Sequence, residues 1–346
     1  MGEHAVVYGR PALAAAVDLR ATVRVSPAAD GGVHLDLPGL SHAESLSWGA
    51  VRLYAGAARE SWRAYSREPG PDRFRTVRGD DPAHVVKTAL GEATEFLAET
   101  EPPGVRVAVE SNLPAGSGFG SSASTAAGVI AAYLSFRGIA LDLDELERLT
   151  LEAERRQHGL PSGIDGATVI HGGVLWARKL ESGELEKERI APRSPLLSKI
   201  RVYDTGTPPD STGAVVATVR SRRDRDPGGH ERLLDCIEAA TRAFRVELSR
   251  EEEEPGLIRE LIRECQICLE ALGVVPPAVR VLVRRVEAKG GAAKISGAGS
   301  LAGPGAGSLL VYHSDAERIS GWPFLRPFRA YPVHLGAAGL RLERDA

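Results

Sequence analysis

Residues 112–124 read Asn-Leu-Pro-Ala-Gly-Ser-Gly-Phe-Gly-Ser-Ser-Ala-Ser, and this glycine- and serine-rich stretch decides the fold. It follows a predicted strand, Gly104–Glu110, and precedes a predicted buried helix rich in small residues, Ala123–Phe136. Because glycine lacks a Cβ atom, the three glycines allow backbone N–H groups to turn toward a ligand. The following helix directs the positive end of its dipole at the same place. We therefore predict a di- or triphosphate-binding loop at Pro114–Ser124.

Two familiar phosphate-binding patterns do not describe this loop. No Gly-Lys-Ser/Thr follows the glycines, so it is not a Walker A loop. A dinucleotide fingerprint would need Gly or Ala where Ser121 stands, and no acidic residue clearly ends a next strand about 20 residues on. Ser121 and Ser122 can instead cap the helix or reach a phosphate or Mg²⁺. Taken alone, the loop also fits an ordinary Gly/Ser turn that caps a helix.

A second segment, Glu154–Ala167, carries two carboxylates eleven residues apart. Glu154 closes a predicted helix, Leu143–Gln157, and Asp165 follows a Pro/Gly turn, so a fold-back of the chain can direct both at one point. Phosphoryl transfer needs a metal ligand near the nucleotide phosphates and a carboxylate near the attacking hydroxyl. The alternative is a surface Glu154 and an Asx-turn Asp165.

The composition bounds the class of protein. A chain of 346 residues suits two domains, because single cores stop growing at roughly 250–300 residues. A net charge of −3 with mixed signs gives no field that favours nucleic acid. No apolar run is long enough to span a membrane and no signal peptide is recognisable, so we expect a cytoplasmic protein without a membrane partner. Cys265 and Cys268 are expected to be buried helix residues.

Strand-like and helix-like stretches alternate irregularly, which is typical of an α+β architecture. Ala21–Val25 and Val33–Leu37 both alternate in polarity, and we predict that they pair as a hairpin. Ser66–Asp81, rich in Gly, Pro and Arg, is predicted to be a loop.

The phosphate loop resembles the second motif of the GHMP kinases, Pro-x-x-x-Gly-Leu-Gly-Ser-Ser-Ala, with Phe119 replacing Leu. Gly290–Ser300 resembles the third motif of the same superfamily, although the loop continues through Leu301–Ser308 and is longer than the compact form. The resemblance implies that the nucleotide is bound by Pro114, Gly116, Ser117, Gly118, Gly120, Ser121, Ser122, Ala123, Gly297, Ala298 and Gly299.

Within that superfamily, Glu154–Asp165 resembles the mevalonate kinase pattern Gly-Glu-x-x-x-His-Gly-x-Pro-Ser-Gly-x-Asp-Asn, with Ala153 and Gly166 as departures. The resemblance implies that Glu154 coordinates Mg²⁺ together with Ser121 or Ser122. It also implies that Asp165 is catalytic and accepts or orients the hydroxyl proton of the substrate. His158 is read as a hydrogen-bonding structural residue.

The first residues, Gly2–Gly9, match the Gly-Glu-His-Ala-Val-Val-Tyr-Gly string of mevalonate kinases. The match implies that Glu3 and His4 lie at the substrate pocket, with His4 near the carboxylate of mevalonate, and Thr212 is a further substrate-binding candidate. The sequence given begins at this motif, without the preceding strand and its Lys that pairs with the catalytic Asp. We expect either a start codon assigned too late or an enzyme that works slowly without that Lys.

The resemblance implies a two-domain α+β GHMP kinase fold. Residues 1–190 form an N-terminal domain like ribosomal protein S5 domain 2, and residues 191–346 form a ferredoxin-like C-terminal domain. The implied reaction transfers the γ-phosphoryl group of ATP to the 5-hydroxyl of (R)-mevalonate with Mg²⁺, and a homodimer is compatible with it. The alternatives are another GHMP enzyme (a phosphomevalonate kinase, a mevalonate 3-kinase or decarboxylase, a small sugar or homoserine kinase) and a non-catalytic ATP- or isoprenoid-binding relative.

Overall fold

The computed structural model describes residues 1–70, 74, 77, 80–114, 116–140 and 142–343. Seven residues of the predicted loop Ser66–Asp81 (71–73, 75–76, 78–79), and Ala115 of the predicted phosphate loop, lie outside the described residues. Within the described part of that segment the loop prediction is wrong for Ser66, Arg67, Phe74 and Val77, which are helical. The strands are β1 Pro11–Ala15, β2 Ala21–Pro27, β3 Val33–Leu37, β4 His42–Leu46, β5 Val105–Ser111, β6 Val174–Lys179, β7 Leu185–Ile190, β8 Ile200–Asp204, β9 Ala292–Ser296, β10 Ser308–Tyr312 and β11 Arg329–Tyr331.

The helices are α1 Trp48–Arg67, α2 His84–Phe96, α3 Ser121–Phe136, α4 Leu143–His158, α5 Ile164–His171, α6 Thr212–Arg225, α7 Pro227–Ser249, α8 Pro255–Ala271, α9 Pro277–Ala288 and α10 Glu317–Ser320. No described helix is both long enough and apolar enough to cross a membrane.

The chain divides into two compact units that are not contiguous in sequence. The first unit is Met1–Asp18, Pro114–Phe119 and Gly172–Ala338, and the second is Leu19–Leu113, Gly120–His171 and Gly339–Ala346. This division by contacts differs from the boundary expected at residue 190, which stays a prediction.

The first unit contains two antiparallel sheets. One has the strand order β1-β6-β7, and the other has the order β11-β8-β10-β9. The helices α6 to α9 supply apolar faces to its core, where Cys265, Leu269 and Val283 are almost completely buried. As expected, Cys265 and Cys268 are buried on α8.

The second unit is built on one four-stranded sheet with the order β2-β5-β3-β4. The predicted hairpin of Ala21–Val25 with Val33–Leu37 is wrong, because β5 lies between these strands, antiparallel to β2 and parallel to β3. Alternating polarity identifies a strand but does not name its partner.

Small residues allow helix α3 to lie directly on this sheet. Ala126, Ala127 and Ile130 are fully buried, and a Cβ atom at Gly128 would lie 2.7 Å from Cγ2 of Val23 in β2. Close packing of this kind fixes the helix and therefore fixes its N-terminal end, where the phosphate loop arrives.

Candidate active site

The phosphate loop has the backbone that its glycines predicted. Gly116, Gly118 and Gly120 have φ angles of +71°, +79° and +66°, in the left-handed region that favours glycine. Helix α3 begins at Ser121, with Gly120 at the N-cap and no side-chain hydrogen bond capping the helix. The first N–H groups of α3 are therefore not occupied by a capping side chain, which suits an anionic ligand.

Within the first unit, the loop packs against the third glycine-rich segment. The N–H and the hydroxyl of Ser308 both donate to the carbonyl of Ser117. A Cβ atom at Gly118 would lie 2.6 Å from the carbonyl oxygen of Ser296, and one at Gly297 would lie 3.0 Å from Cα of Gly118. The structure thus brings together two segments that sequence reasoning assigned to the nucleotide.

Helix α4 presents two functional side chains on one face at its C-terminal end. Glu154 and His158 are four residues apart, and the side chain of Glu154 is buried. The hydroxyl of Ser122, in the first turn of α3, lies 2.8 Å from Nε2 of His158. Burial raises the pKa of Glu154 to about 7, and the neighbouring Ser122 hydroxyl opposes that rise.

Asp165 lies in the first turn of α5, where the chain folds back after α4. Gly159 and Gly163 supply the turn with φ angles of +77° and +89°. A Cβ atom at Gly120 would lie 3.8 Å from Cβ of Asp165, so this carboxylate is beside the start of α3. Asp165 is exposed at the surface of the second unit, and partial desolvation by the surrounding protein raises its pKa to about 6. The charge of Glu154 adds to the rise in this pKa, and His158 opposes it.

The Glu154–Ser122 pair fits a hard divalent cation. Oε1 of Glu154 is buried and has no hydrogen-bond partner among the described residues. A carboxylate oxygen and a hydroxyl oxygen are ligands that Mg²⁺ accepts, and a buried unpaired oxygen is costly without a cation or proton. Ser121 begins the same helix. Among the described residues, no hydrogen bond joins its side chain to Glu154 or Ser122.

The first unit holds Glu3 and His4, the substrate residues expected from the N-terminal string. Glu3 pairs with the ammonium group of Lys294, which is 1% exposed and also donates to the carbonyl of Ile295. Burial would raise the pKa of Glu3, but the charge and hydrogen bond of Lys294 and the charge of the Met1 ammonium group together outweigh burial and lower this pKa to about 2. Sequence reasoning missed Lys294, although a lysine inside the otherwise apolar strand β9 signals a buried carboxylate partner.

His4 is buried in a strained backbone conformation, with φ +60°. Its Nε2 donates to the carbonyl of Ala298, 2.9 Å away, which fixes the tautomer with the proton on Nε2. Burial lowers the pKa of His4, so the ring is neutral and Nδ1 is an acceptor. Nδ1 is buried and has no hydrogen-bond partner in the described ranges.

Thr212 begins helix α6, and its side chain is exposed next to the N-cap Ser211.

The extended third loop is held by a residue that sequence reasoning missed. Asp210 accepts from the N–H of Leu301 at 3.0 Å and from the hydroxyl of Ser300 at 3.2 Å. Three residues of this segment were predicted to bind the nucleotide. Gly297 contacts the phosphate loop, whereas Gly299 packs against the carbonyl of Val274.

A cluster of His42, Glu44 and Asp81 has the geometry of a cation site. The ammonium group of Lys87 lies 2.8 Å from Glu44 and 2.6 Å from Asp81. This lysine already supplies the positive charge that the two carboxylates need.

The comparisons with known proteins identify the family of this chain. Residues 84–173 match the model of the GHMP kinases N terminal domain. The mevalonate kinases of Bos taurus and Homo sapiens are each 30% identical to this chain. The Bos taurus alignment covers 92% of this chain and 84% of the relative, and the human alignment covers 90% and 83%. The Pyrococcus horikoshii mevalonate kinase is also 30% identical, over 86% of this chain and 82% of the relative.

Solved structures share the fold. A mevalonate kinase crystal structure superposes with a TM-score of 0.72 at 21% identity, covering 96% of this chain and 95% of the other. The Methanococcus jannaschii mevalonate kinase also gives 0.72, at 19% identity, over 96% of this chain and 94% of the other. The predicted GHMP kinase fold class is confirmed. With 30% identity over most of both chains, this protein belongs to the mevalonate kinase family of GHMP kinases.

Proposed function

We propose that this chain transfers the γ-phosphoryl group of ATP to the 5-hydroxyl of (R)-mevalonate, releasing ADP and 5-phosphomevalonate. The observation that carries the proposal is the cluster of Glu154, Ser122 and Asp165 beside the start of α3, described above. It combines a metal-binding pair with a second carboxylate at a helix N-terminus, which is the equipment that phosphoryl transfer requires. Family membership favours mevalonate over phosphomevalonate, sugars or homoserine as the acceptor.

The nucleotide phosphates are assigned to the glycine-rich segments. In the second unit, Gly120, Ser121, Ser122 and Ala123 offer backbone N–H groups at the start of α3. In the first unit, Pro114, Gly116, Ser117 and Gly118 lie against Gly297, as described above, and Ala298 and Gly299 complete the third motif. Glycines allow this close approach without Cβ clashes, and the helix dipole favours the negative charge.

Glu154 and Ser122 would hold Mg²⁺, with Ser121 as the further candidate. A bound Mg²⁺ supplies positive charge that neutralises the phosphate oxygens of the nucleotide. Glu154 is suited to this role because its buried Oε1 has no hydrogen-bond partner in the described chain.

Asp165 accepts the proton of the 5-hydroxyl. The hydroxyl oxygen of mevalonate forms a bond to the γ-phosphorus while the bond between the γ-phosphorus and the β-phosphate oxygen breaks. A pKa of about 6 makes this carboxylate a stronger base than an ordinary aspartate while it stays mostly ionised at pH 7. The electron pair of the broken bond stays on the β-phosphate oxygen, and ADP leaves with that negative charge.

Glu3, His4 and Thr212 are proposed to contact mevalonate. Because the His4 ring is neutral and its Nε2 proton is bonded to Ala298, Nδ1 can only accept a hydrogen bond. His4 therefore suits a hydroxyl group of mevalonate better than its carboxylate, which differs from the role expected from the sequence.

A coupled ADP-release assay tests the proposal with mevalonate, phosphomevalonate, galactose and homoserine as acceptors. We expect turnover with mevalonate and at most traces with the others. Binding of a fluorescent ATP analogue without turnover of mevalonate would favour the non-catalytic alternative, and faster turnover of another acceptor would replace mevalonate. Three further predictions remain: a homodimer, a cytoplasmic location and a domain boundary at residue 190. Light scattering after gel filtration tests the homodimer.

A further inference from the structure

We infer that His158 is a positioning residue that orients the Ser122 hydroxyl toward a cation held by Glu154 and Ser122. The inference rests on the proposed metal site and adds a residue that contacts neither nucleotide nor mevalonate in that scheme. Nε2 of His158 lies 2.8 Å from Oγ of Ser122 and 3.8 Å from Oε1 of Glu154.

A count of hydrogen-bonding positions assigns each atom a role. A serine hydroxyl has one proton to donate and two lone pairs to accept with. Nε2 of His158 and Oγ of Ser122 share one hydrogen bond, whose direction follows from the tautomer of the ring. In the tautomer that carries its proton on Nε2, His158 donates to one lone pair of Ser122, and the second lone pair remains for a cation. Ser122 could otherwise rotate about its Cα–Cβ bond, and this hydrogen bond holds it in one rotamer.

The backbone at this position is held independently of the His158 ring. Helix α4 ends at His158, and the indole N–H of Trp62 donates to the carbonyl of Gly159 at 2.7 Å. A Cβ atom at Gly159 would lie 2.5 Å from the ring of Tyr65, so helix α1 covers this turn closely. Replacing the imidazole therefore leaves the turn between α4 and α5 anchored by Trp62 and Tyr65.

The geometry makes a specific claim about one nitrogen. A glutamine side chain places its amide N–H near the position of Nε2, whereas an asparagine amide is shorter and reaches the position of Nδ1. If His158 acts by donating from Nε2, His158→Gln keeps the contact, and His158→Asn and His158→Ala lose it. A residue that only fills space would show no such difference between Gln and Asn.

The test measures Mn²⁺ binding by electron paramagnetic resonance of free Mn²⁺, with ADP present and without mevalonate, so no turnover is involved. Loss of an outer partner of a metal ligand weakens metal affinity about 10–100-fold, and we expect at least about tenfold for His158→Ala and His158→Asn. For His158→Gln we expect a change within about threefold, below that range. ADP affinity without metal is expected to stay unchanged in all three.

His34→Gln is the matched control, because Nε2 of His34 also contacts a carboxylate, Asp30 at 2.9 Å, and the side chain has a similar exposed fraction. It should leave Mn²⁺ affinity unchanged. If His158→Ala does not fold, as judged by circular dichroism, the Gln and Asn variants carry the test. The role of His158 is overturned if His158→Asn binds Mn²⁺ with wild-type affinity, or if the Gln and Asn variants lose Mn²⁺ affinity equally. Either result leaves the metal site itself standing. A wild-type protein that binds ADP but no Mn²⁺ overturns the metal site itself and this inference with it.

Discussion

The ammonium group of Lys294 is buried against the carboxylate of Glu3, 291 residues away in the sequence. This ion pair joins the third glycine-rich segment to the N-terminal string within the first unit. Beside it, His4 donates to the carbonyl of Ala298, so two consecutive residues of the string are tied to the same segment.

Replacing Lys294 by Met should destabilise the protein strongly, because Glu3 would lose its nearest cation and keep only the Met1 ammonium group, 3.7 Å away. Breaking one partner of a buried pair costs about 3–5 kcal/mol, and we expect a loss of that order in the free energy of unfolding. Urea denaturation measures it, with the exposed Lys289→Met as control. Adding Glu3→Gln to Lys294→Met should recover part of the loss. An unchanged unfolding midpoint in the single variant would contradict the pairing.

The same pair predicts a dependence of stability on acid. The folded-state pKa of Glu3 is about 2, below its ordinary value of 4.5, so the folded protein binds this proton less readily than the unfolded chain. The stabilisation is complete above pH 4.5 and is lost as the pH falls toward 2. Unfolding free energies measured from pH 6 to 3 should fall less steeply in the double variant Glu3→Gln, Lys294→Met.

Asp165→Asn should lower kcat by about 10²–10⁴-fold, because the amide cannot accept the hydroxyl proton. The affinity for ATP should change little, because Asp165 acts on the acceptor and not on the nucleotide. Steady-state kinetics with mevalonate and a fluorescent nucleotide titration separate the two effects. A wild-type kcat would remove Asp165 from the mechanism.

The pH profile of the wild-type reaction should show an acid limb at or below pH 6. Protonated Asp165 cannot act as a base, and its pKa of about 6 is lowered further by a nearby cation. The measurement is kcat/KM for mevalonate at saturating Mg·ATP between pH 5 and 9. A limb centred above pH 7 would point to a different base.

Glu154→Gln should stabilise the metal-free protein at pH 8 while it abolishes Mn²⁺ binding. The raised pKa of about 7 means that the folded state holds this proton more tightly than the unfolded chain. The stability contributed by Glu154 is therefore present below pH 4.5 and is lost as the pH rises through 7. We expect a gain of about 1–3 kcal/mol at pH 8 and a smaller gain at pH 5, which serves as the internal control. Equal gains at both pH values would contradict the buried-charge explanation.

Gly118→Ala should weaken ATP binding and lower stability more than Gly138→Ala does. Both glycines have left-handed backbones, with φ +79° and +73°. Left-handed strain costs each variant about 1–2 kcal/mol. Only the Cβ atom at position 118 would also clash, 2.6 Å from the carbonyl of Ser296, whereas nothing lies within 4 Å at position 138. Thermal unfolding and nucleotide titration of both variants measure the difference.

Local features of this fold could be predicted from the sequence. The carboxylate of Asp142 caps α4 by accepting from the N–H of Glu145 at 2.7 Å, and such capping is a local feature because it depends on residues three apart. The fold-back that brings Glu154 toward Asp165 is also local, since the two residues are eleven positions apart and two glycines with left-handed backbones lie between them.

Long-range features were not accessible in the same way. The strand between β2 and β3 is β5, which begins about 70 residues after β3, and side-chain alternation does not encode that pairing. Lys294 and Glu3 are at opposite ends of the chain, so the sequence around Lys294 could not identify Glu3 as its partner. The Asp210 contact to Leu301 depends on the same kind of distant closure.

The interleaving of the two units has a consequence for the order in which the protein is made. Every strand of the second unit's sheet and all its helices lie between Ala21 and His171, so this unit can form early on the ribosome. The first unit must wait for Lys294 and the strands around it. At about 5–20 residues per second, the 291 residues that separate Glu3 from Lys294 take roughly 15–60 s to synthesise. Throughout that interval the nascent N-terminal string lacks its partner, so the first unit is the last part of the chain to complete its core during synthesis.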